Sequence, residues 1–237
     1  MQTKSKRTLG SIIFFFGIFL GLLMSLAAIW GDFEGISYFY TGAGYPSYNG
    51  LNCPVLMTRS ETGSVSATFD NPGDQEIEPY YEVAISGQTS TRKFEGQLSV
   101  PAHTSKSIHW TVDANDIDLG SFIFINMDVL PVGGYSTRED NCGIVVLNLA
   151  GPTGGQVLNL TLAASLLAIG IILGLWENAS SMNIDRPANL PRAMKTLGIA
   201  VLLDMLVSFM GWWLAGILFS VLTILLLVIM LRLSIEG

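Results

Sequence analysis

The chain has 237 residues, 50% hydrophobic and 13% charged, with a mean hydropathy of +0.48. An ordinary soluble domain carries about 25% charged residues, so the composition excludes a wholly soluble chain. The net charge of -7 divides unevenly: residues 31–155 hold 15 acidic and 5 basic side chains, the remainder 4 and 7. An acidic middle between basic flanks fits a middle segment moved across a membrane, and it excludes the basic patch that nucleic-acid binding requires.

Residues 1–8 carry Lys4, Lys6 and Arg7 and no acid. They read as a cytoplasmic N-terminus. Residues 9–30 run without a charge for about 33 Å at helical rise, enough to span a bilayer core, and Trp30 stands where an interfacial aromatic belongs. Gly17, Gly21 and Ser25 recur every four residues, a stripe of small side chains on which a second helix can pack closely. Cleavage after 25–27 by a signal peptidase is the rival reading; the length of the apolar run favours a retained anchor. Residues 31–52 form an aromatic juxtamembrane segment, in which Tyr38, Phe39, Tyr40, Tyr45 and Tyr48 read either as a partner-binding loop or as a collar at the headgroups.

From 53 to 150 the pattern changes to strands. Val65, Ala67 and Phe69 alternate with polar residues and share one face, as do Tyr81, Val83 and Ile85, and then Ile108, Trp110 and Val112. Asn71-Pro72-Gly73-Asp74 is a turn, the polar stretch 88–96 a loop or weak edge strand, and Gly133-Gly134 a second turn. About seven short strands with regular turn signals predict an antiparallel sandwich. Cys53 and Cys142 lie at its two ends. In an exported segment such a pair forms a disulfide. No catalytic, cofactor or metal set is visible. The two histidines read as surface residues, and the acids from Asp113 to Asp118 miss calcium-loop spacing.

The run 66–87, SATFDNPGDQEIEPYYEVAISG, resembles the strand–turn–strand opening of bacterial Ig-like modules of the cell-adhesion-related kind. The resemblance implies an Ig-like sandwich with a non-enzymatic, extracytoplasmic role. The four-span layout is also similar to that of claudin-type proteins, whose W-GLW-C-C signature this chain lacks.

Past a Gly-rich linker, 156–176 is a second span with Gly170 and Gly174 in small-residue spacing. Residues 177–195 are a cytoplasmic loop, 196–211 a third span, and 213–232 a fourth after a turn at Gly211-Trp212-Trp213. Basic residues at the N-terminus, at 186–195 and at Arg232 then share one side, with both termini cytoplasmic. Asp204 lies inside the third span, where an ionisable residue is a functional candidate by default. Counting back from the turn sets it level with Ser220, with Thr223 one turn deeper.

The expectation is an α+β membrane protein: four transmembrane helices, with an extracytoplasmic Ig-like antiparallel β-sandwich inserted between helices 1 and 2, in the plasma membrane of a bacterium. Its expected partners are the lipid bilayer and other membrane or envelope proteins, a second copy of itself included, with no nucleic acid and no cofactor. Its expected role is binding or scaffolding in an envelope assembly, and the alternative is an accessory subunit of a transport or energy-coupling complex that uses Asp204.

Overall fold

The computed structural model describes residues 2–39, 50–130, 138–180 and 189–236. It is an α+β structure with four long helices and two sheets. The chain divides into two compact units, one of residues 1–29 and 157–237 and the other of residues 30–156.

The helical unit contains most of α1 (Gln2–Tyr38), nearly all of α2 (Gly154–Ser180), and α3 (Asn189–Phe209) and α4 (Trp213–Glu236). Three helices are long and apolar enough to cross a membrane, over Leu9–Tyr38, Gly154–Ile171 and Trp213–Arg232. The third span expected at 196–211 is not among them. Its helix, α3, opens on polar residues that include Asn189, Arg192 and Lys195, and it carries Asp204 internally. The four helices share a core built on Phe14 and Ile18 of α1, Ile169 of α2, Leu197, Val201 and Met205 of α3, and Met230 of α4.

Small residues set how closely these helices approach. A Cβ on Gly17 would lie 2.8 Å from the Ala168 side chain, and one on Gly21 would lie 2.7 Å from Val201. Ser165 Oγ donates to the Gly17 carbonyl at 2.7 Å, so α1 and α2 touch backbone to side chain along this stripe. Gly170 and Gly174, expected as a packing stripe on α2, do not pack this way. No described atom lies within 4 Å of a Cβ at either position, because α2 presents the Ser165 and Ile169 side to its neighbours instead.

Among the described residues the β unit has eight strands in two sheets. One is β1 (Leu51–Asn52), β3 (Gly63–Asn71) and β6 (Thr104–Val112), in the order β1-β3-β6. The other is β2 (Leu56–Thr58), β8 (Arg138–Leu147), β7 (Phe122–Leu130), β4 (Tyr80–Ile85) and β5 (Arg92–Gln97), in the order β2-β8-β7-β4-β5. All pairs are antiparallel except β2–β8, which is parallel. The expected purely antiparallel arrangement is corrected there. The chain leaves β1 in one sheet and enters β2 in the other across Cys53 and Pro54, and this crossover sets the direction of β2. The stretch taken as a loop or weak edge strand at 88–96 holds the edge strand β5.

Alternation decides the core. Val65, Ala67 and Phe69 meet Val83, Ile85, Trp110, Val112, Ile123, Ile125 and Met127, all buried. The turn after β3 is closed by its own asparagine: Asn71 Oδ1 accepts from Gly73 N at 3.1 Å, and its amide donates to the carbonyls of Gln75 and Val100. Such side-chain mimicry of a backbone turn is why asparagine is favoured there. Cys53 and Cys142 are bonded, with Cα atoms 6.5 Å apart and a sequence separation of 89. Cys142 sits within β8 rather than opening the last strand.

The end of α1 belongs to this β unit and corrects the expected break after Trp30. The helix continues to Tyr38 because two of its apparent breakers are contact residues. A Cβ on Gly31 would lie 2.7 Å from the Gly143 carbonyl oxygen, and one on Gly35 would lie 2.8 Å from the Cys142 carbonyl carbon. The helix end thus lies directly on the outer face of β8, glycine against glycine.

Candidate functional site

Two clusters stand out, one in each unit. The first is on the outer face of the five-stranded sheet. Residues paired directly across strands point to the same face. The register aligns Glu95 with Glu82, Glu82 with Asp128, and Asp128 with Glu139, so four carboxylates cross β5, β4, β7 and β8 in one row. Like charges placed directly opposite destabilise a sheet. Local hydrogen bonds hold the carboxylates apart: Tyr80 Oη donates to Glu95 at 2.8 Å, Asn126 Nδ2 to Asp128 at 3.0 Å, and Asn141 Nδ2 to Glu139 at 3.3 Å. Among the described residues no three acids, histidines or cysteines gather as a metal cage.

Beside this row is a groove of about 570 Å³, lined by Phe39, Glu82, Lys93, Glu95, Asn126 and Asp128 among others. Burial pushes the Asp128 carboxyl above the usual carboxylate range; the charges of Glu139 and Glu82 push the same way, against the Asn126 hydrogen bond. A carboxyl raised in the fold stabilises it fully below the pKa of the unfolded chain, and that contribution is lost as pH rises through the folded value. Asp128→Asn should therefore flatten the fall in thermal stability between the ordinary aspartate range and neutrality. At pH 7 it should stabilise the domain by about 0.2–1 kcal/mol for each opposed pair relieved. Parallel melting of wild type and variant across that pH range checks both.

The aromatics of 31–52 separate in the structure. Tyr38 turns into the domain, where its ring stacks on Phe124 at 4.5 Å and its hydroxyl donates to Asp118 at 2.6 Å. It belongs to neither a collar nor a free loop. Phe39 lines the groove. Tyr40, Tyr45 and Tyr48 lie outside the described residues. The acids of 113–118 all have structural duties. Asp113 caps a short 3-10 turn at Ala114–Asp116, buried Asp116 takes the Arg92 guanidinium at 2.7 Å, and Asp118 holds Tyr38. The sequence missed the acidic row, because each acid looks like an ordinary solvent-facing strand residue until the register is known.

The second cluster lies inside the helical unit. Asp204 is fully buried, and Ser220 Oγ donates to its carboxyl at 2.9 Å from one oxygen and 3.1 Å from the other. The link closes the α3–α4 hairpin across the turn at Gly211. Ser25 of α1 and Ser208 of α3 face the same carboxyl. Thr223 stands one turn from Ser220 on α4, also fully buried. Among the described residues the Thr223 hydroxyl has no hydrogen-bond partner. One carboxyl and four hydroxyls thus occupy the interior of a unit whose outer surface carries Phe16, Phe19, Leu160, Leu167, Leu218 and Leu225.

No family model matches the chain, and no curated protein matches it. Solved structures give partial likenesses. A β-glucuronidase 2 from Bacteroides uniformis is 8% identical with a TM-score of 0.31; the match covers 40% of this chain and only 12% of that one. Superoxide reductase (neelaredoxin) from Ignicoccus hospitalis is 9% identical with a TM-score of 0.32, covering 48% of this chain and 90% of that one. The CARDB domain of the PF1109 protein from Pyrococcus furiosus, solved with di-metal ions, is 9% identical with a TM-score of 0.31, covering 46% of this chain and 98% of that one. At these scores the likenesses carry no argument about activity.

Proposed function

We propose that the chain is a multi-pass membrane protein whose β-domain stands outside the cytoplasm and binds a basic segment of another envelope protein. The observation that carries the binding role is the row Glu95-Glu82-Asp128-Glu139 beside the Phe39 groove. Opposed carboxylates cost the domain stability, and a surface that keeps such a cost is better explained by a ligand of opposite charge than by folding. The groove supplies an aromatic wall and the row supplies the charge, a combination suited to lysine or arginine side chains.

Membrane placement rests on an inverted distribution of polarity. The helical unit buries Ser25, Ser165, Asp204, Ser208 and Ser220 and exposes leucine, isoleucine and phenylalanine. In water this arrangement would be unstable; in lipid it is the ordinary one. The outer residues Ile199, Leu202, Leu203 and Leu206 extend the pattern to α3, which supports reading it as a fourth span. The disulfide and the acidic charge of 31–155 favour an oxidising exterior for the β-domain, with both termini cytoplasmic.

Two measurements on the full-length protein test this reading. A cysteine at Thr89 should react with an impermeant thiol reagent in intact cells; labelling only after lysis would overturn the topology. In lipid nanodiscs, a lysine- and arginine-rich peptide should bind wild type with strong salt dependence, and Glu82→Gln/Asp128→Asn should weaken it at least tenfold, about 1.4 kcal/mol. Equal binding by both proteins would overturn the groove as the site.

The second reading, a subunit of a transport or energy-coupling complex, is favoured by one observation, the burial of Asp204 with its hydroxyls at the centre of the helices. An intramembrane carboxyl facing other helices is the usual mark of an ion or proton path.

A further inference from the structure

We infer that the space over Ala84 in the groove of the β-domain is a guanidinium subsite, so that the basic segment bound there presents arginine rather than lysine; this rests on the binding role proposed above.

The strand register sets four side chains at the corners of a small rectangle on the outer face of the five-stranded sheet. Glu82 is opposite Asp128, and two residues along each strand Ala84 is opposite Asn126. Residues two apart on a strand share a face, and all four line the groove. Three corners carry oxygen acceptors. The fourth, Ala84, ends at its Cβ and leaves room above it. Lys93 continues this row on β5, opposite Ala84. It is exposed and, among the described residues, makes no ion pair. The groove therefore keeps an excess of acid, with Glu82, Glu95 and Asp128 against Lys93.

Asn126 points to a ligand. It is 6% exposed. Its amide nitrogen donates to Asp128 at 3.0 Å, and its amide oxygen is buried with no hydrogen-bond partner. Buried acceptors are nearly always satisfied, and an open one is costly. With the nitrogen tied to an acid, the oxygen needs a donor from an incoming group. The terminal torsion of asparagine is soft, so a small turn presents that oxygen to a donor entering over Ala84.

The spread of the acceptors selects among cations. They stand on two strands, with directly opposed Cβ atoms about 4.5–5.5 Å apart. An ammonium is a compact, strongly hydrated point charge; it pairs with one corner and keeps its water. A guanidinium is planar, holds five N–H donors in a fixed fork and is more weakly hydrated. Laid flat over the Ala84 Cβ, it turns one edge to the Glu82 and Asp128 carboxylates and another to the Asn126 oxygen. Phe39, also in the groove lining, offers a ring on which such a plane stacks. A metal ion would find no cage of acids there among the described residues.

The test uses the full-length protein in lipid nanodiscs and two synthetic peptides of equal length and charge. One alternates serine with arginine, the other serine with lysine. Wild type should bind the arginine peptide more tightly by about tenfold or more, and Asn126→Ala should bring the two affinities within about threefold of each other. Because that variant removes a buried side chain and could disturb the sheet, Ala84→Leu provides a second arm. It fills the space from the outer face, keeps every acceptor, and should erase the preference too. Equal affinity of both peptides for wild type would overturn the guanidinium subsite and leave the basic-segment reading standing. An arginine preference that survives in either variant would overturn the subsite as placed. Binding of neither peptide by wild type would overturn both the subsite and the reading on which it rests.

Discussion

Alanine or valine in place of Gly143 should destabilise the β-domain by about 1–3 kcal/mol or more, the range for overpacking a filled interior. The side chain there would drive into the backbone carbonyl of Gly31. A flexible neighbour could swing aside, but a peptide group within a helix cannot move without moving its turn. Relief would require the end of α1 to lift from β8, and Tyr38 would then lose Phe124 and Asp118. The loss should appear as a lower melting temperature together with greater protease access near Tyr38. Gly155→Ala is the control, since a Cβ there meets nothing within 4 Å. Equal melting of Gly143→Ala and Gly155→Ala would show that the helix end is not seated on the strand.

Replacing Cys53 and Cys142 together by serine should cost about 2–5 kcal/mol, the usual range for a native disulfide. Most of the effect is expected in the unfolded chain, where the bond closes a long loop. The native state has its own interest in the bond. Cys53 marks the place where the chain crosses between sheets, and its partner sits in the middle of β8. Without the bond, β2 is left with its three-residue parallel pairing to β8 and the burial of Met57 in the core. The urea midpoint of the double variant should fall well below that of oxidised wild type and coincide with that of reduced wild type. Coincidence of all three midpoints would remove the disulfide from the stability of the domain.

Local patterns made much of this fold legible. Alternation named the core faces of β3, β4 and β6, and the count back from Trp212 set Asp204 level with Ser220, where the structure has the two within hydrogen-bond distance. What escaped was long-range. The charge-free run ends at Trp30, so the helical turns that carry Gly31 and Gly35 were not legible, because the strand those glycines touch is more than 100 residues away. The parallel pairing of β2 depends on a crossover that no local pattern announces. Arg92 and Asp116 look like two unrelated surface charges until β5 reaches the 3-10 turn. The acidic row becomes visible only when four strands are aligned, and the stripe at Gly170 and Gly174 is real as spacing but faces the wrong way.

The edges of the two sheets carry a consequence for solubility. An unpaired strand edge is a template for another chain, and proteins blunt it with shortness or charge. β1 and β2 have two and three residues, and β5 begins with Arg92 and Lys93. Among the described residues β6 offers a long edge, nine residues beside β3. Lys106 guards it: it is opposite Phe69, on the core-facing side of the strand, yet remains exposed, with its ammonium tied to the Ser99 carbonyl at 2.6 Å; further along, the Arg92 guanidinium occupies the Thr111 carbonyl at 2.8 Å. A charge aimed inward at an edge must stay hydrated, so an incoming strand would have to bury it. Resistance to fibril-like stacking therefore rests in part on a lysine that has no part in the core, the groove or the helices.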